Sequence, residues 1–235
     1  MALPLTAVTA TKESLYSPMP LADGTGFSAI RVVTPNANGA ESQAPPVWRF
    51  GWDGKPVEAM TDVRVVGYYN WINHTQAVLF VVDDDAKRNA HKLVLADSAT
   101  GKTTLLTNHP GRSLGRTADG RRAVFVDKSD PKRWVVAAMG VMDARPAVWI
   151  DTPVGPAGEP NGTQETDRSE DFCWLPDGAL LMAQGSKFLR WDGRPRSGFK
   201  LFADLGELGG QIKRIAVSRD GTQLAFVVQQ HAKNP

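Results

Sequence analysis

The chain has 235 residues, 42% of them hydrophobic, enough for one large domain or two small ones with a sizeable core. Its 27 basic and 25 acidic side chains are mixed along the sequence to a net charge of +2, with no basic block or aromatic-basic stripe, which argues against nucleic acid as a partner. No apolar run approaches the length of a membrane span, and the single cysteine, Cys173, rules out an internal disulfide.

At the N-terminus no basic stretch precedes Lys12, so no export signal is legible there. Leu3–Thr9 reads as a β-strand. Asp-Gly turns or an equivalent then follow at Asp23-Gly24, Asn73-His74, Asp119-Gly120, Asp177-Gly178 and Asp220-Gly221, at intervals of 50, 46, 58 and 43 residues. An apolar, β-branched or aromatic run comes after each: Phe27–Val33, Ala77–Val82, Arg122–Val126, Ala179–Ala183 and Gln223–Val228. Another run precedes each turn, so every turn marks a hairpin. Often a small residue stands four positions ahead of it, as at Gly115, Cys173 and Ala216.

A second series of turns falls between these, at Asp53, Asp97, Asp143 and Asp192, spaced 44, 46 and 49 residues apart. Two interleaved series with one period mean four strands per repeat, and a period near 46 is that of a β-propeller blade. The fold expected is all-β, a β-propeller of about 4.5–5 four-stranded blades within a single domain spanning residues 1–235. Its last blade has only two strands, so the ring is expected to be incomplete. Leu3–Thr9 would close onto that blade, and open blade edges would favour self-association. Segments 34–46, 83–90 and 153–162 read as loops from their polar or Pro/Gly content, and only Ala203–Leu208 has a trace of helical period.

Thr-Ala-Asp-Gly-Arg-Arg-Ala-Val-Phe-Val from Thr117, Leu-Pro-Asp-Gly-Ala-Leu-Leu-Met from Leu175 and Ser-Arg-Asp-Gly-Thr-Gln-Leu-Ala-Phe-Val from Ser218 resemble the WD40-like (PD40) repeat of TolB-type propellers. Tyr68-Tyr69-Asn70-Trp71-Ile72 and Arg112-Ser113-Leu114 further resemble a group of exported bacterial TolB-like proteins. The resemblance implies descent from a six-bladed ring, of which this chain would be an N-terminally incomplete member. It also implies protein interaction in or beyond the periplasm.

Several motifs are better explained by structure than by chemistry. Ala96–Thr103 fits a relaxed phosphate-loop pattern, but a short β-like run stopped by Pro110 follows where a helix is required, so a hairpin turn is preferred. Asp83-Asp84-Asp85 and Asp167–Asp171 lack the spacing of a calcium loop, with Lys87 and Phe172 at positions that need a ligand and a glycine. His74, His91, His109 and His231 show no paired metal-ligand spacing, and the two Asn-x-Thr sequons carry no weight. Cys173 reads as a packed thiol. Trp52 and Trp191 share one repeat position and read as packing between blades. No cofactor or metal is expected.

What remains is positional. The first strand of each propeller blade lines the central channel, so residues entering it face the channel mouth: Tyr16, Tyr68, Tyr69, Arg112, Arg116, Glu170, Asp171, Lys213 and Arg214. Tyrosine and arginine among mixed charges suit a polar protein or peptide contact. The function expected is therefore a non-catalytic binding module of TolB-like type. The alternatives are a hydrolase or lactonase-like propeller with a metal at the channel mouth, or a gating propeller separated from its peptidase domain.

Overall fold

The computed structural model describes residues 8–9, 13–32, 46–83, 90–117, 119–140, 143, 145–153, 170–194 and 196–230. Apart from Val8 and Thr9, the strand expected at Leu3–Thr9 lies outside these residues, as does most of each of the three expected loops. The chain divides into two compact units, Met1–His109 and Pro110–Pro235.

The first unit contains two antiparallel sheets of four strands, each strand pairing with its neighbour in sequence. They are β1 (Ser14–Pro20), β2 (Gly26–Val32), β3 (Val47–Gly51) and β4 (Pro56–Ala59), then β5 (Val66–Trp71), β6 (Gln76–Val81), β7 (Lys92–Asp97) and β8 (Thr103–Thr107). The second unit repeats the plan twice. Its sheets are β9 (Pro110–Arg116), β10 (Arg122–Asp127), β11 (Val135–Gly140) and β12 (Ala147–Asp151), then β13 (Phe172–Trp174), β14 (Leu180–Gln184), β15 (Lys187–Trp191) and β16 (Lys200–Asp204). A two-stranded sheet of β17 (Gly210–Val217) and β18 (Leu224–Gln230) follows. The one helical feature among the described residues is a 3-10 turn at Gly206–Leu208, since Ala203 belongs to β16. These are the four-stranded repeats expected from the turn spacing.

Burial explains why the strand sequences look as they do. The second strands β2, β6, β10 and β14 are buried almost throughout, as is β11. That environment selects continuous apolar runs rather than alternation. The fourth strands are largely exposed. In the second unit, Val124, Val126, Val136 and Ala138 of one sheet pack on Phe172, Leu180, Met182 and Trp191 of the next. Strand β18 differs from its counterparts: it alternates, with Val227 54% exposed despite a run as apolar as β10.

The hairpin turns work by one repeated device. Each carboxylate of Asp23, Asp119, Asp177 and Asp220 accepts the amide two residues ahead, at 3.0–3.1 Å. The glycine that follows donates back three residues and sits at positive φ, 70° at Gly24 and 72° at Gly221. A type I turn closed by a left-handed residue strongly favours glycine there. Asn73 does the same work with its side-chain carbonyl, which accepts the amides of Thr75 and Gln76.

Register shifts occur in every pairing of a third with a fourth strand and in four of the five first strands. Register shifts interrupt β1 between Tyr16 and Met19, β5 between Val66 and Tyr68, and β17 between Lys213 and Ile215, while β9 shifts opposite Phe125 and Asp127. Ser17, Val65 and Arg214 adopt positive φ at or beside three of these shifts. Bulges of this kind turn side chains away from the regular pleat, and they lie where the functional residues were expected.

Candidate functional site

In the second unit, the start of β9, the middle of β17 and the residues just before β13 are joined by charged side chains. Arg112 Nε donates to Glu170 Oε1 at 2.8 Å, and the Arg112 amide donates to Glu170 Oε2 at 3.2 Å. Lys128 Nζ lies 3.3 Å from the same Oε2. One residue on, Ser113 Oγ donates to Asp171 Oδ1 at 3.2 Å, and Arg214 Nη1 stands 3.8 Å from that oxygen. The chain comes this close to Glu170 because residue 111 is glycine, where a Cβ would lie 2.9 Å from Glu170 Oε2 and 2.9 Å from Val126 Cβ.

Charge is unevenly exposed in this cluster. The Glu170 and Asp171 side chains are only 12% and 5% exposed, whereas Arg112 and Arg214 are 48% and 44% exposed. Burial raises the affinity of Glu170 for a proton, but the Lys128 and Arg112 charges, with the Arg112 hydrogen bonds, outweigh it and hold the carboxyl below its ordinary value. Glu170 is thus a buried anion, already paired, and accessible charge at this edge is mostly positive. Among the described residues no three His, Cys, Asp or Glu side chains come together as a metal site would require.

The structure brings together Arg112, Glu170, Asp171 and Arg214, with Lys213 half-buried beside Arg214 on β17. It separates Arg116, which ends β9 beside the Asp119 turn, about 13 Å from Arg112 at roughly 3.3 Å per residue. Arg116 leaves the first strand rather than entering it. Lys128 and Ser113 were missed. Lys128 follows β10, and in an antiparallel hairpin the end of the second strand is level with the start of the first, so Asp127 pairs with Pro110. That register was the signal that would have found it.

The three tyrosines belong to the first unit. Tyr16 is 55% exposed on β1, and Tyr68 is half-buried, edge-on to Phe80 with centroids 5.6 Å apart. Tyr69 is 3% exposed, packed with Ile30, Val47 and Leu79 between two sheets, so its place is the core and not a channel mouth. Its hydroxyl shares a 2.8 Å hydrogen bond with Ser28 Oγ, which also accepts from Trp71 Nε1 at 2.9 Å. Burial pushes the Tyr69 phenol well above its ordinary range.

Other motifs resolve into structure. The phosphate-loop-like segment is the β7–β8 turn: the amides of Ala99 and Thr100 donate to Asp97 Oδ1, that of Ser98 to the Thr75 carbonyl and that of Gly101 to the Asp97 carbonyl. Those donors are already used within the chain. Burial pushes the Cys173 thiol up to about 11, which leaves it protonated and unreactive at neutral pH. Trp191 is buried between sheets as expected, but Trp52 is 56% exposed, with Nε1 donating to the Gly24 carbonyl at 2.9 Å.

No protein-family model and no curated protein matches the chain. Solved structures do. TolB from Acinetobacter baumannii superposes with a TM-score of 0.60 at 10% identity, covering 92% of this chain and 49% of that one. The β-propeller domain of the Trilobed protease from Pyrococcus furiosus gives 0.59 at 10% identity, covering 94% and 65%. A TolB-type protein from Agrobacterium tumefaciens gives 0.59 at 15% identity, covering 94% and 72%. The chain thus spans about half to two thirds of the length of the first two. The four-stranded repeats and these superpositions together make its fold a β-propeller.

Proposed function

We propose that this propeller is a non-catalytic module that binds a protein or peptide partner through the first-strand edge of its second unit. The observation that carries this reading is the division of charge. Glu170 and Asp171, the carboxylates a metal or an acid-base step would draw on, are buried and held by Arg112, Lys128, Ser113 and Arg214. The half-exposed guanidinium groups are what a partner meets, and their fork geometry fits carboxylates of an acidic peptide. A periplasmic or secreted location, self-association through the exposed β18, and Tyr16 and Tyr68 as further contacts belong to the same proposal.

The test is selection of peptides from a random display library, followed by fluorescence anisotropy. Acidic peptides should be enriched and bind saturably, and Arg112→Glu and Arg214→Glu should each weaken them by roughly tenfold or more. Binders indifferent to both reversals would refute the assignment of the site. Calcium, zinc and magnesium should leave the melting temperature unchanged. A rise of several degrees that disappears in Asp171→Ala would instead support the metal-dependent hydrolase reading.

A further inference from the structure

At the opposite, turn-bearing end of the second unit, a cleft of ≈ 630 Å³ opens beside the packing of β9–β12 on β13–β16. Its volume is that of a small-molecule site. Trp149, Trp174 and Trp191 line it with Val148, and the polar groups at its edge are Thr117 and Asp119, with backbone of two turn glycines. Trp149 meets Trp174 at 6.0 Å and 75°, and Trp191 at 6.4 Å and 45°; Trp191 is 5% exposed, so the accessible ring surface is mainly that of the half-buried Trp149 and Trp174. Nε1 of both Trp174 and Trp191 is buried without a hydrogen-bond partner among the described residues. What those two rings offer the cleft is therefore carbon surface and not a donor.

The one charged side chain among the described lining residues is Asp119. Its Oδ1 accepts from the Thr117 hydroxyl and the Arg121 amide, which hold the carboxyl below its ordinary value and so ionised at neutral pH. Arg121 and Arg122 also act on it, but Arg122 is tied to Asp143 at 2.9 Å and neither arginine lines the cleft. Electron-rich indole faces with a single fixed anion are complementary to an organic cation. A neutral sugar would need several convergent hydrogen-bonding side chains, and among the described lining residues only Thr117 and Asp119 carry polar side chains besides the tryptophans.

We propose that the cleft binds a quaternary or methylated ammonium group, seated on the tryptophan faces with Asp119 as its counter-charge. The experiment titrates the whole chain with tetramethylammonium and choline, with the neutral isostere 3,3-dimethylbutan-1-ol, and with glucose, followed by tryptophan fluorescence and calorimetry. The cations should bind saturably and roughly tenfold more tightly than the isostere. Trp149→Ala should abolish binding, and Asp119→Asn should weaken the cations while leaving the isostere unchanged. Asp119 sits on an exposed turn and asparagine preserves its acceptor oxygen, so that variant carries the test even if Trp149→Ala fails to fold. No saturation, equal affinity for the isostere, or preference for glucose would each overturn the proposal.

Discussion

Glu170 offers the sharpest test of the charged cluster, because its contribution to stability should appear and disappear with its charge. Glu170→Gln keeps the shape and one acceptor oxygen but leaves Lys128 and Arg112 without their anion. Removing one partner of a fully buried pair costs about 3–5 kcal/mol, and an exposed pair contributes about 0–1 kcal/mol. Here the carboxylate is 12% exposed but its cations are 25% and 48% exposed, which puts the case between those limits. We expect a loss of about 2 kcal/mol at pH 7, read as a fall in Tm of roughly 4–8 °C. The folded carboxyl titrates below its ordinary value, so its stabilisation is complete above the unfolded pKa of about 4.3. Below that the unfolded chain takes up the proton first, and the contribution declines until the folded carboxyl is protonated too. The Tm gap between wild type and Glu170→Gln should therefore close on acidification. Thermal melts from pH 7 downwards check this. A gap that is absent at neutral pH, or that persists unchanged in acid, would refute the argument.

Gly115→Ala should destabilise by about 1–3 kcal/mol, because the new Cβ would sit 2.8 Å from Phe172 Cε2 in a packed interior; denaturant unfolding measures it. Gly178→Val meets open space but forces a β-branched residue to φ 84°, so about 1 kcal/mol or more should be lost to backbone strain, with a smaller loss for Gly178→Asn. Tyr69→Phe should cost about 1–1.5 kcal/mol by removing the buried hydroxyl paired with Ser28, while peptide affinity stays unchanged. A changed affinity without a stability loss would return Tyr69 to the binding surface.

The repeats were legible because their turns impose stereochemistry on particular residues. Asp23-Gly24, Asp119-Gly120, Asp177-Gly178 and Asp220-Gly221 all need an acceptor side chain followed by a residue at positive φ, and few residue pairs provide both. Strands between them were recognisable because nearly complete burial of the second strands demands unbroken apolar runs. The fate of the tryptophans was not legible. Trp52 and Trp191 occupy the same repeat position, yet one is exposed and the other buried, since exposure depends on what the adjacent sheet presents and not on repeat position.

The site was half legible for a related reason. Repeat phase put Arg112, Glu170, Asp171 and Arg214 at corresponding positions of successive first strands, and the structure has them adjacent, because the same phase in successive sheets means the same level in space. Phase does not say which way a side chain turns: alternation and local bulges decide. Tyr68 and Tyr69 are adjacent in regular register past the shift, so strand alternation turns them to opposite faces, Tyr68 half-buried and Tyr69 in the core. At β17 the shift falls on Arg214 itself, whose φ of 50° leaves the guanidinium half exposed beside Asp171. A bulged first strand thus separates the two demands placed on it. Its regular part pairs and packs, and the displaced residues are released from the pleat to carry charge outward. Restoring a regular register at Arg214 would therefore be expected to remove an accessible cation without removing an arginine.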